Sequence, residues 1–196
     1  MTKHREHDMK GRVRYVTAVC GLAICWGSSA ARAAEPLVTD GIINAPAAEV
    51  WRTITTPEGY RLMGAAHAEV DLAIGGEIRT HYDPQGRLGD PETIVNEILA
   101  YDPGRMLAIR VRQAPASFPF RDVIGATWSV FYLTPLGEDM TQLKVVGLGY
   151  GDDATSQRMR EYFDKGNRYT LDLLIRHYAP KCARCEAEAE GLGSED

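Results

Sequence analysis

No stretch of the chain reaches the roughly 20 consecutive apolar residues that a membrane-spanning helix needs. The longest apolar segment, Tyr15–Trp26, falls well short, so integral membrane association is not expected. Basic residues are in the minority, with 22 Lys and Arg against 27 Asp and Glu. A pI near 5.6 argues against nucleic acid as a main partner, because phosphate binding needs clustered Lys and Arg. Histidine is scarce, and neither H-x-H nor H-E-x-x-H spacing occurs, so no metal site is expected. No cofactor-binding loop and no nucleophile–base pair can be read, which ranks binding above catalysis. What is present is a 196-residue chain that is 44% hydrophobic and 25% charged, enough for one domain with a real core.

The first 33 residues have the layout of an address. Lys3, Arg5, Lys10, Arg12 and Arg14 form a basic stretch, Tyr15–Trp26 an apolar one, and Ala31-Arg32-Ala33 a small-residue cleavage signal. The expectation is a secretory signal peptide over 1–33, cut after Ala33, and a periplasmic or secreted product. Val19 and Ile24 precede Cys20 and Cys25 where a lipoprotein signal wants a small residue, so lipidation is not expected. Cleavage removes six basic and two acidic residues, leaving 16 against 25 and a net charge of −9. Anionic membranes then become poorer partners still.

The remainder, 34–180, reads as one domain followed by an acidic tail over 181–196 that lacks the apolar residues to fold. Leu37–Ile43 is a strand candidate. Asn44 is positioned to cap a short helix over Ala47–Ile54, and Thr56-Pro57 opens a second through Met63. Alternation continues from His67 to Ile74, with a tight turn at Gly75-Gly76. Strands follow over Glu77–Tyr82, Thr93–Tyr101, Met106–Arg112, Thr127–Thr134 and Thr141–Tyr150, an antiparallel meander at hairpin spacing. A long amphipathic helix starts at Asp152 or Asp153 and stops before Pro180, with Met159, Tyr162, Phe163, Gly166, Thr170, Leu173, Leu174 and His177 on its apolar stripe.

Several segments carry a family resemblance. Val50-Trp51 with Thr56-Pro57-Glu58-Gly59, Ala68–Gly76, Val95-Asn96-Glu97-Ile98 and the turn Asp102-Pro103-Gly104-Arg105 together resemble the START-like helix-grip (SRPBCC) superfamily. Within it they resemble the subgroup related to the activator of the heat-shock-protein-90 ATPase, over roughly 37–178. Met63 stands where many relatives carry Trp. The resemblance implies an α+β fold: a curved antiparallel sheet wrapped around a long C-terminal helix, with two short helices after the first strand. It also implies a cavity between sheet and helix that binds a small apolar or amphipathic molecule. An exported chain does not meet a cytosolic chaperone, so the subgroup's name does not carry its function here.

Candidate cavity residues are Trp51, Glu97, Arg110, Phe118, Phe120, Trp128, Phe163 and Gly166. Gly166 admits either close backbone packing or room for a ligand. Glu97 with Arg110 or Arg112 admits either a structural ion pair or a polar anchor. Gln113–Ala126, with Phe118 and Phe120, is a candidate lid. His67, Glu69, Asp71, Glu77, Arg79 and His81 form either an acid–base cluster or a solvated face. A polyketide-cyclase-like enzyme would exchange protons through Glu97, His67 or Asp122; a protein-interaction module would use the exposed sheet face. Cys182-Ala183-Arg184-Cys185 suits a short disulfide in an oxidising compartment, with free thiols, or redox or metal work, as the alternatives.

Overall fold

The computed structural model describes residues 35–180. The expected signal peptide over 1–33, the acidic tail over 181–196 and the Cys182–Cys185 pair lie outside the described residues. Seven strands form one antiparallel sheet: β1 (Leu37–Ile43), β2 (His67–Val70), β3 (Glu77–His81), β4 (Ile94–Asp102), β5 (Met106–Gln113), β6 (Trp128–Pro135) and β7 (Thr141–Leu148). Helices α1 (Ala47–Thr55) and α2 (Pro57–Leu62) follow β1, the short α3 (Arg121–Ile124) precedes β6, and α4 (Ala154–His177) closes the domain. The strand order is β1-β7-β6-β5-β4-β3-β2, so the meander from β2 to β7 is extended by β1 pairing back onto β7. This is the expected helix-grip architecture.

Local chemistry explains most boundaries. Thr56 caps α2 by accepting from Gly59 N at 3.3 Å, and Pro57 takes the first helical position, where its missing N–H costs nothing. Asp153 is the cap of α4, accepting from Thr155 N at 2.9 Å and Ser156 N at 3.0 Å. The expected cap of α1 is different: Pro46 occupies that position with no side-chain bond, and Asn44 lies in the bend before it. Strand β2 ends at Val70, earlier than the alternation implied. Residues 71–76 turn away, and Leu72 and Ile74 are exposed. The turn closes where Gly75 N donates to Ile98 O and Ile98 N to Gly76 O, with Gly75 at φ +80°, a value that favours glycine.

The core lies between the concave face of the sheet and the helices. Ile43, Val50, Ile54, Ile78, Ile98, Leu107, Leu143 and Leu174 are all essentially inaccessible there. Register shifts in β4 at Val95/Asn96 and Ile98/Ala100 mark bulges, which bend a strand and strengthen its twist. Close approach of α4 to the sheet is made possible by a strand glycine. A Cβ on Gly41 of β1 would stand 3.0 Å from both Ile175 Cδ1 and Leu171 Cδ2. The end of α4 is tied to α1 by Tyr178 Oη and Thr53 Oγ1 at 2.8 Å.

Candidate functional site

Between the sheet and α4 lies a cavity of about 220 Å³. Its sheet wall comes from Asn96 on β4, Ile109 and Val111 on β5, Trp128, Ser129 and Phe131 on β6, and Leu143 and Val145 on β7. Its helix wall is Phe163, Asn167, Thr170, Leu171 and Leu174. Ile54, Tyr60, Met63, Tyr82, Ile124, Thr127 and Tyr150 complete the lining, and Tyr82 and Trp128 remain partly open to solvent. Met63 is thus a wall residue.

The alternation of each strand selects these residues. On β4, Asn96 shares the concave side with the buried Ile98; on β5, Ile109 and Val111 do so with Leu107. Glu97 and Arg110 therefore point the other way. They form an ion pair at 2.7 Å on the outer face, where Arg110 is well exposed. The Arg110 guanidinium, by hydrogen bond and charge, holds the Glu97 carboxyl below the usual carboxylate range. Of the two readings of Glu97, the ion pair with Arg110 is the one formed, and neither residue lines the cavity, because one residue of strand offset separates the two faces.

Three other expectations are corrected. Trp51 is half-buried, packs against the core with its ring 6.3 Å from Tyr101, and is not in the lining. Gly166 is exposed, and a Cβ there would meet nothing within 4 Å. The inner line of α4 runs instead through Met159, Phe163, Asn167, Leu171 and Leu174, so Tyr162, Gly166 and Leu173 lie on its flank. Phe118 and Phe120 do not line the cavity. They stack in a T-shaped pair at 5.5 Å, and Phe118 backs onto Phe163 at 6.0 Å. The long loop thus supports the wall from behind and contributes Ile124 directly, with Thr127 just beyond its end. Trp128 and Phe163 are in the lining.

The histidines organise a loop. His81 is buried, and its Nδ1 accepts from Asp83 N at 3.1 Å, which leaves Nε2–H to donate to Asp90 Oδ1 at 3.1 Å. Asp90 also accepts from Arg87 N and Glu92 N; those backbone donors, Arg87 first, lower its pKa. His67 bonds to Pro84 O at 3.2 Å, and Arg79 donates to Glu77 at 2.7 Å. Asp71 is exposed beyond the end of β2. Among the described residues no group of three or more His, Cys, Asp or Glu is placed to hold a metal ion.

The polar groups of the cavity are the ones sequence reasoning missed. Asn96, Ser129, Asn167 and Thr170 line it, and their side chains enter none of the hydrogen bonds between described side chains. Tyr60, Tyr82 and Tyr150 add three phenols. Burial raises the pKa of Tyr60 far above its ordinary 10 and that of Tyr150 to about 12, whereas Tyr82 is more than half exposed. A readable signal existed for Asn167, a lone amide interrupting an apolar stripe one turn after Phe163, and for Asn96, which has the parity of Ile98.

A curved sheet gripping one helix over a partly polar cavity defines the helix-grip class of domains. Residues 37–178 match the polyketide cyclase / dehydrase and lipid transport family, and the chain belongs to it. Among solved structures, the MLL2253 protein of Mesorhizobium loti is similar at 20% identity and a TM-score of 0.57, covering 72% of this chain and 95% of its own. The Aha1 dimer subunit of Colwellia psychrerythraea is similar at 13% identity and a TM-score of 0.57, over 76% of this chain and 99% of its own. The di-domain aromatase/cyclase BexL of the BE-7585A biosynthetic pathway matches at 15% identity and a TM-score of 0.58, over 74% of this chain and 46% of its own. These likenesses establish the fold. No curated protein matches the chain.

Proposed function

We propose that the chain is an exported binding protein that takes up a small apolar or amphipathic molecule between the sheet and α4. The cavity carries this reading. Protein interiors normally pack to a density near 0.75, with few voids larger than a water molecule. A 220 Å³ space with uncommitted amide and hydroxyl groups on an otherwise apolar wall is the composition of a ligand site. The groups that a cyclase-like enzyme would use for proton exchange, Glu97, His67 and Asp122, are absent from the lining, which favours binding over catalysis. Export rests on the basic, apolar and small-residue layout of 1–33.

Native mass spectrometry of protein recovered from the exported fraction tests both parts. The expected result is a polypeptide beginning at Ala34 or within a few residues of it, carrying a co-purifying small molecule. Filling the cavity with Thr170→Phe is expected to abolish that adduct while the protein stays folded. Intact Met1 in a soluble cytoplasmic fraction would overturn export, and an adduct unchanged in Thr170→Phe would overturn the cavity as its site.

A further inference from the structure

Size, charge and polarity of the cavity narrow its occupant. We infer that it takes a neutral, hydrogen-bonding molecule of a single ring, of about ten to twelve non-hydrogen atoms, rather than a lipid or a fused-ring compound. This deepens the binding function proposed above and rests on it.

Size comes first. An apolar cavity of roughly 150 Å³ holds one benzene molecule. At about 220 Å³ there is room for the same ring with a few substituent atoms. Binding pockets bury roughly 70–90% of a ligand's surface. A long acyl chain or a multi-ring skeleton would leave most of its surface outside this one.

Charge comes second. Among the described residues, no Lys, Arg, His, Asp or Glu lines the cavity. The Glu97–Arg110 pair is spent on the outer face. Arg160, whose charge reaches Tyr150, lies outside the lining and donates to Pro36 O. An ion placed in the cavity would lose its hydration without gaining a counter-ion, and buried charges without a partner are strongly disfavoured. The phenols report the same environment, since burial raises the pKa of Tyr60 and Tyr150 and so disfavours their charged forms.

Polarity comes third. A purely apolar occupant would leave the amides of Asn96, on the sheet wall, and Asn167, on the helix wall, without partners. Each amide offers two donors and one acceptor. Leaving such a group unpaired costs about 1–3 kcal/mol. A ligand that carries both a donor and an acceptor offers each amide a partner.

Isothermal titration of the full chain with four probes tests this: 4-hydroxybenzamide, its anionic isostere 4-hydroxybenzoate, the apolar ring ethylbenzene, and palmitate. At neutral pH the benzamide is expected to bind roughly tenfold or more tightly than the benzoate and than ethylbenzene. Palmitate is expected not to compete. In Asn167→Leu, and independently in Asn96→Leu, the advantage over ethylbenzene should shrink by roughly tenfold, with ethylbenzene binding retained. Benzoate binding as tightly as the benzamide would overturn the charge argument. Palmitate displacing the benzamide, or binding where no monocycle does, would overturn the ligand class while leaving a binding cavity in place. Failure of all four probes would overturn the inference, and the mass-spectrometric adduct and its loss in Thr170→Phe would then decide the broader binding function separately.

Discussion

The two faces of the sheet are built from the same strands and have opposite characters. The concave face carries Asn96, Ile98, Leu107, Ile109 and Val145 toward α4; the convex face carries Glu97, Arg110, Arg79 and Lys144 into solvent. Neighbours in sequence therefore live in different media. Asn96 is a candidate ligand contact and Glu97 a surface charge, although both were read from one motif. A side chain's chemistry says what it can do; the parity of its strand decides whether it meets a ligand or water.

The contrast can be broken at its most buried points. Leu174→Ala removes an inaccessible side chain between α4 and the sheet and should cost about 2–5 kcal/mol. Leu173→Ala, on the half-buried flank, should cost less than half as much, and equal losses in thermal melts would mean the helix phase is wrong. Two glycines sharpen the comparison next. A Cβ on Gly86 would run into the His81 ring, so Gly86→Ala should destabilise by about 1–3 kcal/mol. Gly166→Ala adds its methyl to open space and should stabilise by about 0.5–1 kcal/mol, with ligand uptake unchanged. Urea midpoints of the two variants shifting in the same direction would contradict this pair.

Ionisable groups on the two faces give smaller effects, at opposite ends of the pH scale. The Tyr150 phenol is raised in the folded state to about 12 from 10. Its contribution is complete below pH 10 and is lost as pH rises through the folded value. Tyr150→Phe should flatten the alkaline limb of the stability profile. The Glu97 carboxyl is lowered by Arg110, so its contribution is present above the ordinary 4.5 and is lost as pH falls through the lower folded value. Glu97→Gln should change only that acid limb, slightly, and leave ligand binding untouched; weakened binding would place the residue in the site after all. The pair is solvent-facing and screened, which makes this the smallest of the four effects.

Local signals were readable where a few adjacent residues settle the outcome. Thr56-Pro57 and Asp153 announce helix starts because their side chains satisfy N–H groups two or three residues away. Asp102-Pro103-Gly104-Arg105 announces a hairpin, with Gly104 at φ +74°. The phase of α4 was harder. Asn167 interrupts its apolar line, and a stripe through Gly166 then matches three-and-four spacing equally well. Only contact with the sheet distinguishes the two, and that contact depends on Gly41, far away in sequence on β1.

The order of the seven strands and of α1, α2 and α4, the Thr56 cap, the start of α4 to within one residue and the hairpin turns were legible in the residues, because each follows from short-range chemistry and periodicity. The one-turn α3 and the Pro46 cap position of α1 were not. Tertiary structure alone decided which residues share the cavity. Asn96 and Asn167, Tyr60 and Tyr150 come together across long spans of chain. Which side of α4 faces inward, and which parity of β4 does, are outcomes of packing the whole sheet at once, where burying one set of side chains exposes the other.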